Sequence, residues 1–167
     1  MYRITTVCTG NICRSPMAEY LIRQAVEEAG ITDVEVDSAG TSDWEIGNPA
    51  DPRAIELLVA NGIDASSHTA RQFDGGTFAT VDLVLALDAD HYAELRKLAP
   101  TPEDKEKVRM LRSFDPQVAD LAPAEQGIYD PWFGDSGDFD AAWEMIRAAL
   151  PGLVRHVRQA SAETSGA

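Results

Sequence analysis

The chain has 167 residues, 44% of them hydrophobic and 25% charged, which is the composition of an ordinary globular domain. Its formal net charge of −14 argues against nucleic acid and anionic membrane surfaces as main partners. No apolar run approaches the roughly 20 residues of a membrane span, and no basic segment followed by an apolar stretch opens the chain, so we expect no membrane insertion and a cytoplasmic location.

Strand and helix signals alternate along the chain. Strands are predicted at 4–7, 34–37, 81–87 and 108–111. Helices are predicted at 16–29, 51–61, 89–98 and 139–160. Because this alternation is typical of βαβ units, we predict a doubly wound four-stranded parallel sheet with helices on both faces and a phosphate-binding loop after strand 1.

The helix ends carry further expectations. Ser15 is the candidate N-cap of the first helix, with Pro16 in its first turn. The last helix is expected to bend or break near Pro151 and Gly152. We expect one domain over 1–160 and a disordered tail over 161–167.

Residues 8–15, between the first strand and the first helix, read Cys-Thr-Gly-Asn-Ile-Cys-Arg-Ser. Ligands of parallel sheets bind at the carboxyl ends of strands, where Cys8 lies. A loop of backbone N–H groups that leads into a helix N-terminus favours an oxyanion, or the thiolate of a nucleophilic cysteine. Gly10 permits a close approach of the backbone to such an anion.

The end of this loop adds a cation and a hydroxyl. Arg14 carries a planar guanidinium that can bind two phosphate oxygens at once, and Ser15 can donate a hydrogen bond to the thiolate of Cys8. Together these residues predict attack on phosphorus, a cysteinyl-phosphate intermediate and its hydrolysis by water.

Several segments resemble one known family. Residues 7–19, Val-Cys-Thr-Gly-Asn-Ile-Cys-Arg-Ser-Pro-Met-Ala-Glu, closely resemble the signature of the low-molecular-weight protein tyrosine phosphatases. Four further segments follow in the order of that family: 37–41 with Trp44, 51–54, 68–72 and 130–134. The resemblance covers about 2–158. It implies hydrolysis of phosphotyrosine and aryl phosphates, without a cofactor.

The resemblance also implies the catalytic roles. Cys8 would be the nucleophile, Arg14 the phosphate clamp, and Asp130 the acid that protonates the leaving phenol and then the base that activates water. The residues alone do not choose Asp130, because Asp51 and Asp115 also precede a proline and such pairs are common in turns.

A supporting polar network maps by resemblance onto Asn11, Ser15, Ser38 and His68. Taken alone, Asn11 is typical of a turn or a left-handed position, and His68 of a surface loop. Two cysteines and three widely spaced histidines do not make a convincing metal site, so we predict no metal.

Residues around the loop are expected to contact the substrate. The flat apolar faces of Trp44, Trp132 and Phe133 suit a phosphotyrosine ring, and Trp132 and Phe133 replace tyrosines that many relatives carry after Asp-Pro. The loop itself contributes Thr9, Gly10, Asn11, Ile12, Cys13 and Ser15, and Glu45 is expected beside Trp44 at the same mouth.

Two loop positions are informative by comparison with the family. Ile12 replaces a threonine found in the arginine-phosphatase branch, which favours a phenolic phosphate over a phosphoguanidinium group. Cys13, by resemblance, could form a reversible disulfide with oxidised Cys8, although a buried packing thiol is the alternative.

Three other functions fit parts of the pattern. An arsenate reductase needs further cysteines, and none follows Cys13. A phosphocysteine carrier has less use for Arg14 and Asp130, and a non-catalytic phosphotyrosine-binding module would be expected to have lost Cys8 or Asp130. We therefore expect phosphotyrosine proteins as substrates, and phosphate or other oxyanions as product and inhibitors.

Overall fold

The computed structural model describes residues 1–165, in which four parallel strands form one sheet. The strands are β1 (Tyr2–Cys8), β2 (Val34–Gly40), β3 (Leu83–Ala86) and β4 (Val108–Met110). Their order is β2-β1-β3-β4, and each neighbouring pair is parallel. The order changes direction between β1 and β3, which creates a topological switch point at the carboxyl end of β1.

Helices cover both faces of this sheet, which confirms the predicted architecture. The helices are α1 (Arg14–Glu28), α2 (Pro52–Ala60), α3 (Ala89–Leu98), α4 (Pro102–Glu106) and α5 (Ser136–Ser165). α1 and α5 pack on one face, and α3 packs on the other against β3 and β4. α4 was not predicted because it is one turn long and buries none of its residues, so it has no apolar periodicity.

Alternating side chains of the strands build two cores. In β3, Leu83 and Leu85 belong to the core beneath α1 and α5, whereas Val84 and Ala86 belong to the core beneath α3. All four residues are buried, so the strand is apolar throughout, as expected of a central parallel strand. These cores hold the strand ends, and with them the loop after β1, in a fixed position.

The start of α1 differs from the prediction. The helix begins at Arg14 with Cys13 at the N-cap position and no side-chain cap, so Ser15 is not the N-cap. Pro16 lies in the first turn, where its missing N–H costs no helical hydrogen bond. The hydroxyl of Ser15 is thereby available to the loop.

The predicted break in α5 is absent, because the helix continues through Pro151. The neighbouring Gly152 has a packing role instead: a Cβ built at this position would lie 2.2 Å from the carbonyl oxygen of Phe114. Only a glycine lets α5 approach that backbone so closely. Of the segment expected to be a disordered tail, residues 161–165 continue α5, and residues 166–167 lie outside the described residues.

Candidate active site

Residues 9–13 connect the carboxyl end of β1 to the first turn of α1. Asn11 has a φ of 59°, in the left-handed region, which makes the connection tight. Asparagine tolerates this conformation better than most residues, so the turn expected at Asn11 is present. The loop therefore wraps around the point where Cys8 leaves the sheet.

Cys8 lies at the base of this loop beside the hydroxyl of Ser15. The Sγ of Cys8 and the Oγ of Ser15 are 3.0 Å apart, and both residues are buried. A hydroxyl at this distance can donate to a thiolate. This contact was predicted from the sequence. It can form because α1 begins at Arg14, which leaves the hydroxyl of Ser15 free of a capping role.

Asn11 ties the loop to the polar network behind it. Its side-chain amide donates to the Oγ of Ser15 at 2.8 Å and to the Oγ of Ser38 at 2.9 Å. Its side-chain oxygen accepts the backbone N–H of Arg71 at 3.0 Å. Ser38 in turn donates to the carboxylate of Glu19 in a short hydrogen bond. Each polar atom of the Asn11 side chain is therefore bonded, as a buried amide requires.

His68 holds the backbone of the same loop. Its Nε2 lies 2.7 Å from the carbonyl oxygen of Asn11, so this nitrogen carries the proton and donates. Its Nδ1 lies 3.9 Å from the carboxylate of Glu19. His68 is buried, which excludes the alternative of a surface-loop histidine. The predicted supporting residues thus lie together, joined by Glu19.

The end of β2 supports the loop from the other side. The backbone N–H groups of Thr41 and Ser42 donate to the carbonyls of Cys8 and Thr9 at 2.8 and 3.0 Å. A Cβ built on Gly40 would lie 2.5 Å from the carbonyl oxygen of Thr9 and 3.2 Å from the backbone nitrogen of Asn11. Only glycine fits here without displacing the loop.

The guanidinium of Arg14 is buried and held from behind. Its Nη1 donates to Asp88 at 2.9 Å and to the carbonyl oxygen of Ile128 at 3.0 Å. Its Nη2 lies 3.3 Å from the carboxylate of Asp130. The contact brings together two predicted catalytic residues that are far apart in the sequence.

His91, in the first turn of α3, connects Asp88 with Thr9. Its Nε2 lies 2.8 Å from the Oγ1 of Thr9, and its Nδ1 lies 3.2 Å from Asp88 without a hydrogen bond to any described residue. Burial lowers the pKa of His91 to about 4, and the positive charge of Arg14 acts in the same direction, so the imidazole is neutral at neutral pH.

Asp88 remains ionised although it is largely enclosed. Burial by itself raises its pKa, but the neighbouring His91, including its backbone N–H, and Arg14 together hold the pKa below the usual range. A negative Asp88 beside the Nδ1 of His91 favours the tautomer that carries its proton on Nδ1. In that tautomer Nε2 accepts the hydroxyl proton of Thr9.

A cavity of about 310 Å³ opens above the loop. It is lined by Cys8, Thr9, Gly10, Ile12, Cys13, Arg14, Trp44, Glu45, Asp130, Trp132 and Phe133. Two residues expected to contact substrate, Asn11 and Ser15, do not line it, because their buried side chains lie behind the loop. The other residues predicted to contact substrate, and the three predicted catalytic residues, line the cavity.

Aromatic side chains form the mouth of the cavity. Trp44 and Phe133 are each 77% exposed and Trp132 is 49% exposed, so all three are surface residues and do not belong to the core. The rings of Trp132 and Phe133 meet edge to face with centroids 4.8 Å apart. Exposed rings at the rim of a cavity are suited to hold a second aromatic ring.

Cys13 is buried on the cavity wall, and both cysteines are free. Burial raises the pKa of the Cys13 thiol, with the nearby Asp51 acting in the same direction, so Cys13 stays protonated. The same neighbourhood helps to lower the pKa of Asp51, for which Arg53 is the main cause and Cys13 a further one. Cys13 is therefore a protonated neighbour of Cys8.

Within residues 1–165, no group of three or more histidine, cysteine or acidic side chains could hold a metal ion. In the same range, no helix combines the length and apolarity needed to cross a membrane.

Sequence reasoning missed several residues that complete the site: Glu19, Asp51, Arg53, Asp88 and His91. Asp88 could have been predicted from the sequence, because it directly follows a strongly apolar strand. The carboxyl ends of parallel strands meet at one edge of the sheet, where Cys8 also lies. Glu19, Asp51 and Arg53 lie inside the segments 7–19 and 51–54 that carry the family resemblance. Their contacts, like those of His91, join distant elements, and no local pattern encodes such contacts.

Comparison with known proteins gives consistent matches. The family described as low molecular weight phosphotyrosine protein phosphatase matches residues 3–163. A low molecular weight protein-tyrosine-phosphatase of Streptomyces coelicolor is 49% identical over 159 residues, which are 95% of this chain and 94% of the relative.

Solved structures agree in fold. A protein tyrosine phosphatase from Entamoeba histolytica superposes with a TM-score of 0.86 at 26% identity, covering 96% of this chain and 99% of that one. Wzb from Vibrio vulnificus, solved in complex with benzylphosphonate, superposes with a TM-score of 0.77 at 27% identity, covering 93% and 98%.

Proposed function

The chain belongs to the low molecular weight phosphotyrosine protein phosphatase family, and from this premise we propose that it hydrolyses phosphotyrosine in proteins through a cysteinyl-phosphate intermediate on Cys8. The observation that carries the proposal is the contact between Cys8 and Ser15, 3.0 Å apart, at the base of a cavity whose wall also includes Arg14 and Asp130. A nucleophile, a cation and an acid thus face one small space.

In the first step the sulfur of Cys8 attacks phosphorus while the bond from phosphorus to the phenolic oxygen breaks. Asp130, in its protonated form, donates its proton to the leaving oxygen, so that tyrosine departs as a neutral phenol. Arg14 binds two phosphate oxygens and neutralises the charge that spreads over them. The bonds of Arg14 to Asp88 and Ile128 fix the guanidinium for this task.

In the second step Asp130, now a carboxylate, accepts a proton from water, whose oxygen attacks phosphorus. The sulfur–phosphorus bond breaks, inorganic phosphate forms, and Cys8 leaves as a thiolate. Ser15 donates a hydrogen bond to that thiolate from 3.0 Å, which makes it a better leaving group. No metal or cofactor is needed in either step.

The cavity supports an aromatic phosphate as substrate. Trp44, Trp132 and Phe133 surround its mouth, and Ile12 adds an apolar wall. A phenol ring buries well between such faces. The benzylphosphonate in the Wzb complex also joins an aromatic ring to a phosphorus oxyanion. Phosphoproteins are the proposed substrates, and phosphate and other oxyanions are expected to inhibit by occupying the loop.

The proposal is tested by steady-state phosphate release from phosphotyrosine, phosphoserine and phosphoarginine peptides, for wild type and Cys8→Ser. We expect many turnovers on phosphotyrosine alone, and none in Cys8→Ser. Preference for phosphoarginine would move the protein to the arginine-phosphatase branch. One equivalent of dephosphorylated peptide without release of phosphate would instead indicate a carrier that keeps the phosphate on Cys8, and no reaction at all would indicate a binding module.

A further inference from the structure

Arg53, in the first turn of α2, makes contacts with the segment that carries Asp130. Its Nη1 donates to the carbonyl oxygen of Gly134 at 3.0 Å, and its Nη2 donates to that of Trp132 at 3.3 Å. The carbon of its guanidinium lies 4.6 Å from the centre of the Phe139 ring, in α5. One side chain therefore binds the backbone at the end of this segment and packs against the helix that follows.

The same guanidinium is held by Asp51. The Nε of Arg53 donates to one carboxylate oxygen of Asp51 at 3.0 Å, and its Nη2 donates to the other at 2.9 Å. This paired geometry fixes the plane of the guanidinium. Asp51 is almost fully buried, so the orientation of the pair is set by the protein interior.

Asp51 in turn contacts the phosphate loop. Its backbone N–H donates to the carbonyl oxygen of Ile12 at 2.8 Å. A continuous path of hydrogen bonds thus runs from the loop around Cys8, through Asp51 and Arg53, to the backbone beyond Asp130. Arg53 itself does not line the cavity.

The segment 130–134 has few apolar anchors of its own. Pro131 is buried, but the large side chains of Trp132 and Phe133 point outward and are exposed. Hydrogen bonds to its backbone must therefore contribute much of its placement. Because a shift of about 1 Å in a catalytic group can cost roughly 100-fold in rate, the position of this segment matters for proton transfer.

We propose that Arg53 is a positioning residue that holds Asp130 at the correct distance from the substrate's leaving oxygen. This inference rests on the proposed function, because it assumes that Asp130 is the general acid. Arg53 acts through the backbone of Trp132 and Gly134 and does not touch the substrate. A lysine cannot replace it, since an ammonium group lacks the planar fork that reaches Asp51 and both carbonyls together.

The test is kcat/KM over a series of aryl phosphates, from an activated nitrophenol leaving group to phosphotyrosine. It compares wild type, Arg53→Lys, Arg53→Ala, Asp130→Ala and a control, Arg147→Ala. Arg147 lies on the surface of α5, where its Nη1 is 3.6 Å from the carboxylate of the exposed Glu144. Thermal melting of each variant verifies that it is folded.

We expect Arg53→Lys to lose roughly 10-fold to 100-fold on phosphotyrosine and less than about threefold on the activated substrate, because only a poor leaving group needs the proton. The control should match wild type throughout. A uniform loss across the series, or no loss, would overturn the role of Arg53. In either case Asp130→Ala would still show its own dependence on the leaving group.

A double variant distinguishes the positioning role of Arg53 from the acid role of Asp130. Added to Asp130→Ala, Arg53→Lys should cost less than about twofold on phosphotyrosine, since there is no acid left to position. A full additional loss would overturn the inference. If Asp130→Ala itself responded equally to all leaving groups, the acid assignment would fail, and the role of Arg53 would fail with it.

Discussion

The Nη2 of Arg14 lies 3.3 Å from the carboxylate of Asp130. The first residue comes from the start of α1 and the second from the segment just before α5, so the fold closes the cavity with charges from distant parts of the chain. A phosphate bound to Arg14 would lie beside Asp130. The pairing therefore places the proposed acid next to the leaving oxygen of a substrate held by the proposed clamp.

Replacing Asp130 with alanine should affect substrates according to their leaving groups. We expect kcat/KM on phosphotyrosine to fall roughly 100-fold to 1,000-fold, because tyrosine would leave as an unprotonated phenolate, whereas kcat/KM on an activated aryl phosphate should fall less than about tenfold. Steady-state kinetics on both substrates measure this. Asp140→Ala, an exposed carboxylate in α5, is the control for loss of charge. Unchanged hydrolysis of phosphotyrosine would show that Asp130 is not the acid.

Replacing Asn11 should loosen the loop around Cys8. Asn11→Ala removes the hydrogen bonds to Ser15, Ser38 and Arg71 and also places alanine at a φ of 59°. We expect a loss of about 1–3 kcal/mol in the free energy of unfolding and at least roughly tenfold in kcat.

Asn11→Gly separates the two causes, because glycine adopts this φ without strain. If the hydrogen bonds position the loop, kcat of Asn11→Gly should stay close to that of Asn11→Ala. Recovery of wild-type kcat in Asn11→Gly would instead assign the whole effect to backbone conformation. Denaturant unfolding, measured alongside, gives the stability of both variants.

Gly40→Ala tests the support of the loop by β2. The new Cβ would lie 2.5 Å from the carbonyl oxygen of Thr9, which is backbone and cannot rotate away. We expect kcat/KM to fall at least roughly tenfold as the loop shifts. The control is Gly75→Ala, whose Cβ would lie 3.4 Å from its nearest neighbour. Equal activity of the two variants would contradict this reading of Gly40.

His91 should make stability depend on pH. Its pKa is about 4 in the folded protein, against 6.5 as the ordinary value, so the unfolded chain binds more protons between these values. The free energy of unfolding should therefore fall by up to about 3 kcal/mol as the pH decreases from about 6.5 to about 4, and level off below. The groups that face His91 are Asp88, Arg14, Asp130 and Asp90.

His91→Gln removes the titrating group and keeps an amide within reach of Thr9. Denaturant unfolding between pH 4 and 7 should show a flatter profile for this variant than for wild type. Identical profiles would mean that His91 binds protons equally in the folded and unfolded states, so that folding does not shift its pKa, which would contradict its enclosure.

The sequence located some parts of the site and not others, for physical reasons. Cys8, Arg14 and Ser15 could be predicted because a strand end, a loop and a helix start are encoded within a few neighbouring residues. Asp130 needed the family resemblance, since an Asp-Pro pair by itself is typical of many turns. Arg53 lies in a segment that resembles the family, but neither its role nor that of His91 could be predicted, because their partners are brought close only by the packing of α2 and α3 around the sheet.

The fold was predicted more fully than its details. Apolar strands alternating with amphipathic helices indicate a doubly wound sheet whatever their exact ends. The predicted break of the last helix at Pro151 and Gly152 was wrong. The local preference of proline and glycine predicts a break, whereas α5 packs closely against Phe114 and remains continuous. The prediction of Ser15 as the N-cap was also wrong, because its hydroxyl lies 3.0 Å from the Sγ of Cys8 and does not cap the helix.

The most direct test of the account is to trap the phosphoenzyme. Wild type and Asp130→Ala would be mixed with an activated aryl phosphate, quenched within milliseconds to seconds, and digested for peptide mass spectrometry under conditions that preserve a sulfur–phosphorus bond. We predict phosphate on the peptide that contains Cys8, enriched in Asp130→Ala because its intermediate lacks a base for hydrolysis. Phosphate on any other residue, or full turnover by Cys8→Ser, would contradict the account.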